Sequence, residues 1–303
     1  MLRKIIYLIN PISGTSKRTD LKELIIRETR LRNIDFEIVH TNPEGDYRFL
    51  PLKIRQENVT DVIVCGGDGS ISTVGAALVG EDVRLGIIPT GSGNGLAFTA
   101  KIPGSAPRAL QLIFEGRASY IDGFYVNDQF SCLLCGVGFD AQVAHDFAKE
   151  GKRGLRSYVR CTLRNFNSAP PYSFDLLTDG NMFSMQAFFI TVANSNQYGN
   201  HFTIAPGASL TDGLLDVIIM TKMSKLQFPF SILRQVTGFN VREKLTDKSQ
   251  IKNILHFQTP ALTIVNKEKA PLHIDGDPVP VEENLCIKVA PRALKLIRPQ
   301  ERE

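Results

Sequence analysis

The chain has 303 residues, of which 43% are hydrophobic and 22% are charged, and its net charge is +4. These values are ordinary for a globular protein with one large or two ordinary domains. The charge is too small to indicate a nucleic-acid-binding protein, and no run approaches the roughly 20 apolar residues that span a bilayer. The first residues lack the long apolar core of a signal peptide, and the five cysteines indicate reduced thiols. We therefore expect a cytoplasmic protein.

The first 122 residues alternate short apolar runs with stretches of helical periodicity. Strands are predicted at residues 5–9, 36–39, 62–65 and 85–88, and a helix at 21–31. This alternation predicts a parallel sheet covered on both faces, in which ligands bind beyond the carboxyl ends of the strands. Turn-forming residues follow each predicted strand, at residues 10–14, 41, 66–70 and 90–94.

The most informative motif is Gly66-Gly67-Asp68-Gly69-Ser70, between a buried-type strand and a predicted helix over residues 71–78. Glycines let a backbone approach a ligand closely, and a helix that begins beside them directs N–H groups at phosphate. Asp68 would repel phosphate unless a metal or proton intervenes, which indicates a metal–nucleotide complex. The motif lacks the lysine of a P-loop and the spacing of the dinucleotide fingerprint. A tight turn between a strand and a helix would also explain it.

The sequence texture changes after Asp122 and Gly123. Short strand-like runs separated by glycine, proline, asparagine and aspartate predict an antiparallel sheet or sandwich. Helices are predicted near residues 153–165 and 225–237, and a last short element at 293–297 could return to the first domain. The predicted strands cover residues 124–126, 130–136, 172–177, 187–193, 214–220, 261–265, 272–274 and 286–289.

An ordered series of motifs runs along nearly the whole chain. Each motif is weak alone, but their order and separations together resemble the diacylglycerol kinase catalytic family in its small bacterial lipid-kinase form. The series consists of Asn10-Pro11-Ile12-Ser13-Gly14, the glycine motif at 66–70, Ile88-Pro89-Thr90-Gly91-Ser92-Gly93-Asn94, Gly136-Val137-Gly138-Phe139-Asp140, Val192-Ala193-Asn194-Ser195, Ala205-Pro206-Gly207-Ala208 with Asp212-Gly213-Leu214-Leu215-Asp216-Val217, and Ile274-Asp275-Gly276-Asp277-Pro278.

The resemblance implies an α/β protein joined to an all-β domain. Residues 1–122, with 292–303 returning, would form a Rossmann-like three-layer α/β domain with a parallel sheet that binds the nucleotide. Residues 123–291 would form an antiparallel β-sandwich that binds the lipid, with the active site in the cleft between the domains. Exposed strand edges would allow two copies of the chain to pair as a homodimer.

The resemblance also implies which residues bind the cofactors, ATP and Mg²⁺. Backbone amides and small hydroxyls suit phosphate oxygens because no bulky side chain blocks their approach. Asp68 would help to hold the catalytic magnesium through water. The residues implied in ATP binding are Asn10, Gly14, Thr41, Gly66, Gly67, Asp68, Gly69, Ser70, Thr90, Gly91, Ser92 and Asn94.

The implied catalytic residues are four aspartates. Asp275 would be the general base that removes the proton from the lipid hydroxyl during its attack on the γ-phosphate. Asp122, at the domain junction, matches an acidic position of the same network as Asp68, and Asp277 follows the base. An Asp-Gly pair also favours a type I′ hairpin turn, and such a turn can present a carboxylate to a cleft.

A second, structural magnesium site is implied around Asp212. Its carboxylate would join backbone carbonyls of Leu210 and Leu214, and one carboxylate can suffice because magnesium keeps several waters. A polar turn before a strand would explain these residues equally well. The chain departs from the family where Ser72-Thr73 replaces the common Asn-Glu and where Asp277 replaces a glutamate.

A basic face is predicted on the helix near residues 153–165. Lys152, Arg156, Arg160 and Arg164 are four residues apart and so form one stripe, which an anionic membrane surface would attract. A solvated helix face is the alternative. Because a lipid kinase meets its substrate at a bilayer, we expect peripheral, reversible contact with the inner face of the membrane.

The leading functional expectation is an ATP- and Mg²⁺-dependent kinase of diacylglycerol or a related lipid. A sphingosine- or ceramide-type lipid is an alternative substrate, since related kinases share this architecture. An NAD kinase or phosphofructokinase shares the G-G-D-G loop, although the 90–94 motif and the Asp275 turn fit lipid kinases better. A non-catalytic nucleotide or lipid sensor remains open because of Ser72-Thr73.

Overall fold

The computed structural model describes residues 2–10, 18–42, 44–150, 155–166, 169–199, 202–221 and 254–300. The chain divides into two compact units. The first comprises Met1–Asp122 and Arg292–Glu303, and the second comprises Gly123–Pro291. The chain therefore passes between the units twice.

The first unit contains a predominantly parallel sheet in the order β2-β1-β3-β4-β18. Strands β1 to β4 are parallel, and the last part of β18 pairs in parallel with β4 through Lys295↔Arg84 and Leu296↔Leu85. The predicted parallel α/β sheet is confirmed. Its elements are β1 (Lys4–Ile9), α1 (Arg18–Arg30), β2 (Asp35–His40), α2 (Leu50–Glu57), β3 (Asp61–Gly66), α3 (Asp68–Leu78), β4 (Arg84–Pro89), α4 (Gly95–Thr99), α5 (Ala106–Glu115), the start of β5 (Arg117–Val126) and the end of β18 (Asn284–Arg298).

The strands of this sheet are near-continuous apolar runs because both of their faces are buried. Ile6, Val64 and Ile88 are completely buried in the centres of β1, β3 and β4. One detail of the prediction is wrong. Leu31 lies after the end of α1 and is 70% exposed, so it does not belong to the apolar face of that helix.

The second unit is antiparallel, as predicted. Its further elements are β6 (Gln129–Ser131), β7 (Leu134–Gly138), α6 (Phe139–Glu150), α7 (Leu155–Phe166), β8 (Tyr172–Thr178), β9 (Asn181–Ala187), β10 (Phe189–Ala193), β11 (Gln197–Gly199), β12 (Phe202–Thr203), β13 (Leu215–Met220), β14 (Ile254–Thr259), β15 (Ala261–Asn266), β16 (Leu272–Ile274) and β17 (Asp277–Val279). One sheet has the order β14-β13-β10-β7-β16-β17, and β18, β15, β8 and β9 pair successively in another.

A single buried core lies between these two antiparallel sheets. It joins Phe174 and Ile264 of one sheet to Val192 and Val217 of the other. Because side chains alternate across each strand, one face of each sheet contributes to this core. The packing is that of a sandwich, in agreement with the predicted class.

Several predicted elements of the second unit are corrected. The run 130–136 is two strands, since the chain turns at Cys132 and Leu133, where the Leu133 N–H bonds to the Ser131 hydroxyl. The run 187–193 is divided at Phe188 between β9 and β10. Helix α6 was not predicted, and the helix expected at 225–237 lies outside the described residues.

The C-x-x-C pair is structural. Cys132 and Cys135 are both buried free thiols, and burial raises the pKa of Cys135 well above its ordinary value. A thiol that stays protonated in an apolar core is unreactive. Cys135 is packed within β7, and Cys132 is packed in the turn that follows β6.

Candidate active site

The carboxyl ends of the first four strands lie at the same level of the sheet. Ile9 is opposite both His40 and Cys65, and Cys65 is opposite Ile88. The residues that follow these strands therefore meet at one sheet edge. The predicted coincidence is confirmed for Asn10 and for the clusters at 41, 66–70 and 90–94, while residues 11–14 lie outside the described part of the chain. Contact of these residues with a nucleotide remains a prediction.

The glycine loop is shorter than the sequence suggests. Helix α3 begins at Asp68, so Gly69 and Ser70 belong to its first turn. Gly67 is the N-cap residue, with extended backbone and no side-chain hydrogen bond that caps the helix. The N–H groups of a first helical turn lack intrahelical partners and suit an anion.

Two of the turns touch through their backbones. A Cβ atom added to Gly91 would lie 2.4 Å from the Cα of Gly67 and 2.9 Å from Oδ1 of Asn94. Real Cβ atoms do not approach other atoms so closely, so glycine at position 91 is a steric requirement. The two loops thus form one backbone surface without side chains at their point of contact.

Asp68 ties the glycine loop to helix α4. Its Oδ2 accepts a hydrogen bond from the Gly95 N–H at 2.9 Å, and Oδ1 accepts one from the Leu96 N–H at 3.2 Å. Burial raises the pKa of Asp68, and these backbone hydrogen bonds oppose that rise. The carboxylate is thereby fixed against the start of α4, and its binding of magnesium remains a prediction.

Other predicted nucleotide-binding residues also organise these loops. Asn94 is left-handed, with φ of 55°, and its amide exchanges hydrogen bonds with the backbone N–H and C=O of Gly91. Asn10 donates from Nδ2 to the hydroxyl of Ser70 at 3.0 Å, which links the first turn to α3. Thr41 is buried and Ser92 is exposed. Gly14 lies outside the described residues.

Thr73 bonds within its own helix. The Thr73 hydroxyl donates to the backbone carbonyl of Gly69 at 2.9 Å and approaches that of Ser70 at 3.2 Å. Ser72 is buried in the same helix. Among the residues that the structure describes, no group of three or more histidines, cysteines and acidic residues is arranged to hold a metal.

Asp122 holds the returning segment of the first unit. It is 3% exposed, and its Oδ1 accepts the backbone N–H of Arg292 at 2.8 Å. Arg292 has φ of 54°, an uncommon backbone conformation that this bond helps to fix. The predicted participation of Asp122 in a network with Asp68 remains a prediction.

Asp275 stands in the turn between β16 and β17 of the second unit. Ile274 pairs with Asp277, and the two residues between them, Asp275 and Gly276, have φ of 55° and 85°. These values identify the expected type I′ turn. Asp277 is exposed at the start of β17.

One oxygen of Asp275 is held by the second unit. Oδ1 accepts the hydroxyl proton of Ser131 at 2.6 Å and the backbone N–H of Leu134 at 3.2 Å. The Asp275 N–H in turn donates to the Leu134 carbonyl at 2.9 Å. Ser131 was not predicted, because nothing local connects it to a turn 144 positions away.

A buried row of polar side chains next to this turn was also not predicted. Gly136 lies opposite Thr191 of β10 on one side and His273 of β16 on the other. Asp140, from the first turn of α6, places its carboxylate over Gly136. The signal that could have revealed it is a glycine inside a strand, which often marks a close approach of another group.

At the predicted structural metal site, the structure contains the polar turn that was the alternative explanation of these residues. Asp212 is exposed, and its Oδ1 accepts the N–H of Leu214 at 3.1 Å, while Gly213 has φ of 72°. Leu210 is buried. This local bond explains Asp212 without a metal, and the binding of magnesium there remains a prediction.

Only part of the basic face can be described. Arg160 is exposed on α7, and Arg164 pairs with Glu150 at 2.6 Å. Lys152 and the side chain of Arg156 lie outside the described residues. Every helix in the described part of the chain is too short or too polar to span a bilayer.

Known proteins resemble both halves of the chain. Residues 4–126 match the diacylglycerol kinase catalytic domain, and residues 134–298 match the YegS C-terminal NAD kinase beta sandwich-like domain. A crystal structure of a diacylglycerol kinase from Bacillus anthracis aligns with a TM-score of 0.71 at 18% identity, over 98% of this chain and 97% of the other. At this identity the likeness shows the fold.

Sequence relatives extend over nearly all of the chain. "Probable lipid kinase YegS-like" of Enterobacter sp. (strain 638) is 28% identical over 96% of this chain and 95% of the relative. A diacylglycerol kinase of Mycobacterium tuberculosis (strain ATCC 25618 / H37Rv) is 26% identical over 98% of this chain and 96% of the relative. Because the two matched domains account for most of the sequence in this order, the chain belongs to the lipid kinase family that joins a diacylglycerol kinase catalytic domain to a YegS-type C-terminal domain.

Proposed function

We propose that this protein transfers the γ-phosphate of Mg²⁺-bound ATP to the hydroxyl of a lipid, with diacylglycerol as the first candidate. Membership of the lipid kinase family supports the reaction class. The observation that carries the proposal is the Asp275 turn, in which a left-handed turn residue presents a carboxylate whose Oδ1 is held by Ser131 and Leu134. A general base needs such a fixed position.

In this proposal Asp275 accepts the proton of the lipid hydroxyl during attack on the γ-phosphate. The two hydrogen bonds that its Oδ1 accepts fix the carboxylate in the turn. Base catalysis of this kind contributes about a hundred- to ten-thousand-fold to a rate. We place Asp277 beside the base as a second carboxylate, and Asp122 as the residue that supports the first unit.

The residues of the first unit fit a magnesium–nucleotide complex in two respects. The contact of Gly67 with Gly91 leaves a backbone surface that a phosphate can approach, and Asp68 is an oxygen donor beside it. Magnesium binds through one or two carboxylates, phosphates and water, so a single carboxylate is compatible with it. When bound, magnesium would neutralise charge on the phosphates. The chain's own part is to orient the phosphates with Asn10, Thr41, the 66–70 and 90–94 segments and Gly14.

The test is a transfer assay with radiolabelled ATP, Mg²⁺ and a panel of acceptors. The panel contains 1,2-dioleoylglycerol, sphingosine, ceramide, NAD and fructose 6-phosphate. We expect labelled phosphatidic acid from dioleoylglycerol, and Asp275→Asn should lower kcat by about a hundredfold or more. Asp128→Asn, at an exposed aspartate after β5 that belongs to no proposed site, serves as the comparison, and it should leave kcat within about twofold of the wild type.

Each alternative has its own result in this assay. Labelled sphingoid or ceramide product would identify that lipid as the substrate in place of diacylglycerol. Labelled NADP or sugar bisphosphate would identify the protein as a small-molecule kinase. Nucleotide binding without any labelled product would support a sensor. Equal rates for the wild type and Asp275→Asn would remove Asp275 as the base.

We also propose that the basic face of α7 brings the protein to an anionic membrane surface. The exposed side chain of Arg160 supports this, whereas Arg164 already pairs with Glu150. Arg160→Glu should weaken binding to phosphatidylglycerol vesicles by about fivefold or more, because it reverses one charge worth about 1 kcal/mol per cation. Unchanged vesicle binding would contradict the proposal. Homodimer formation is tested in the same preparation by light scattering.

A further inference from the structure

Three adjacent strands of the second unit place a glycine between two polar side chains. Gly136 of β7 pairs with Thr191 of β10 and with His273 of β16. Residues directly opposite one another in antiparallel strands project to the same face of the sheet. The glycine therefore leaves a gap on that face between the threonine and the histidine.

Asp140 fills the gap from the first turn of α6. A Cβ atom on Gly136 would lie 2.1 Å from Oδ2 of Asp140 and 2.6 Å from Nε2 of His273. The Thr191 hydroxyl donates to Oδ2 of Asp140 at 2.7 Å, and His273 Nε2 lies 3.5 Å from the same oxygen. The Thr191 hydroxyl and the His273 ring thus lie beside the same carboxylate oxygen of Asp140. We call Thr191, Asp140 and His273 the polar row.

The polar row ends at the turn that carries the proposed base. The backbone N–H of Gly276, the residue after Asp275, donates to Nδ1 of His273 at 3.2 Å. A ring nitrogen that accepts this bond must carry a lone pair, so the ring proton lies on Nε2, on the side of Asp140. The arrangement connects a helix terminus and a neighbouring strand to the backbone of the turn.

The burial of the polar row calls for a reason other than stability. Thr191, His273 and Asp140 are only 0%, 1% and 7% exposed. Buried polar clusters are often no more stable than apolar side chains of similar volume, but they fix one arrangement of their partners. The partner at the end of this row is the Asp275–Gly276 turn.

We propose that His273 is a positioning residue for Asp275, with its Nε2 beside the Asp140 carboxylate that the Thr191 hydroxyl holds. The inference rests on the proposed function, in which Asp275 is the general base. By accepting the Gly276 N–H, the imidazole holds the turn so that the carboxylate stays where the acceptor hydroxyl must approach. His273 does not touch the reacting atoms in this account. It acts through the geometry of its neighbour.

The test compares two side chains of nearly the same shape at position 273. In His273→Asn, Oδ1 can take the place of Nδ1 and accept the Gly276 N–H, whereas His273→Leu has a similar branched shape and no acceptor. Both variants lose Nε2, so both remove the same ring nitrogen from beside Asp140. We measure kcat and both KM values with Mg²⁺-ATP and 1,2-dioleoylglycerol in mixed micelles, and thermal unfolding in parallel.

We expect His273→Leu to lower kcat by about tenfold, the size of one hydrogen bond, with both KM values within about twofold of the wild type. His273→Asn should recover most of this loss at a similar melting temperature. In an Asp275→Asn background, the leucine substitution should cause no further loss, because its target carboxylate is absent.

Other outcomes overturn the inference in distinguishable ways. If Asp275→Asn is impaired but His273→Leu and His273→Asn have equal kcat, the positioning role is wrong and the base assignment stands. If Asp275→Asn retains full activity, the base assignment fails and the positioning role fails with it. Should His273→Leu not fold, Thr191→Val replaces it. That variant should lower kcat by a few-fold in the wild type and not in Asp275→Asn, and an equal effect in both would refute the inference.

Discussion

At the scale of single residues, Ser131 is the side chain on which the proposed base depends most directly. Its hydroxyl is completely buried, donates to Asp275 Oδ1 at 2.6 Å and accepts the Leu133 N–H at 3.1 Å. Ser131→Ala would leave the N–H unpaired and the carboxylate less constrained. We expect kcat to fall about tenfold, which corresponds to one hydrogen bond to a charged group.

The chain contains a matched control for this substitution. Ser184 donates to Oδ1 of Asp175 at the same distance of 2.6 Å, but it is exposed and lies on β9. Ser184→Ala should leave kcat unchanged in the dioleoylglycerol assay. Equal losses in the two alanine variants, or none in either, would show that the Ser131 bond does not support the base.

The identity of key residues could be predicted more readily than their partners. Asp68 and Asp275 stand in short motifs that glycine and turn chemistry make recognisable. Their hydrogen bonds to Gly95 and Ser131 span 27 and 144 positions and depend on how separate elements pack. No local pattern carries that information, so the structural role of Asp68 as a support of α4 emerged only from the fold.

At the scale of elements, the contact between the glycine loop and the turn after β4 should be intolerant of any side chain. Gly91→Ala would place a methyl group 2.4 Å from the Cα of Gly67 and force the two loops apart. Overpacking of this kind costs about 1–3 kcal/mol. We expect the KM for ATP to rise about tenfold or more, because the displaced loops no longer match the phosphates.

Gly104→Ala is the control for the loop substitution. No atom lies within 4 Å of a Cβ built on Gly104, and its backbone is not left-handed. That variant should keep the wild-type KM for ATP and a similar melting temperature. A Gly91→Ala protein with the same KM as Gly104→Ala would show that the loop contact does not shape the nucleotide site.

Elements were predictable where turn residues separate them. A cluster of this kind follows each of the strands β1 to β4. These four strands and their common edge could therefore be predicted from the sequence pattern. Helix α6 begins at Phe139, immediately after β7 ends at Gly138, and this single glycine, with φ of 100°, is the only turn residue between them. The helix was therefore missed, although Phe139 and Val143 are buried at helical spacing.

At the scale of the whole molecule, the returning segment should be indispensable to the first unit. Leu294, Leu296 and Ile297 are at most 2% exposed, and Arg292 bonds to Asp122. Three buried aliphatic side chains contribute about 5–9 kcal/mol together, which is comparable to the stability of a whole domain. Deletion of residues 292–303 should therefore abolish cooperative unfolding of the first unit, as measured by circular dichroism and calorimetry.

Deletion of residues 301–303 is the matched control, since it keeps the whole of β18 (Asn284–Arg298). It should melt as the full chain does. A protein without residues 292–303 that melts at the same temperature would show that β4 does not need its neighbour. The return itself was predictable, because the short apolar element at 293–297 lies beyond the last turn cluster.

The late arrival of this strand has a consequence for biosynthesis. Asp82 and Lys295, which are hydrogen-bonded beside the β4–β18 pair, are 213 positions apart. At about 5–20 residues per second, the ribosome makes the second of them roughly 10–40 seconds after the first. During that interval the nascent α/β half exposes the backbone of an unfinished sheet, a template for aggregation. We expect it to be a chaperone client until translation ends.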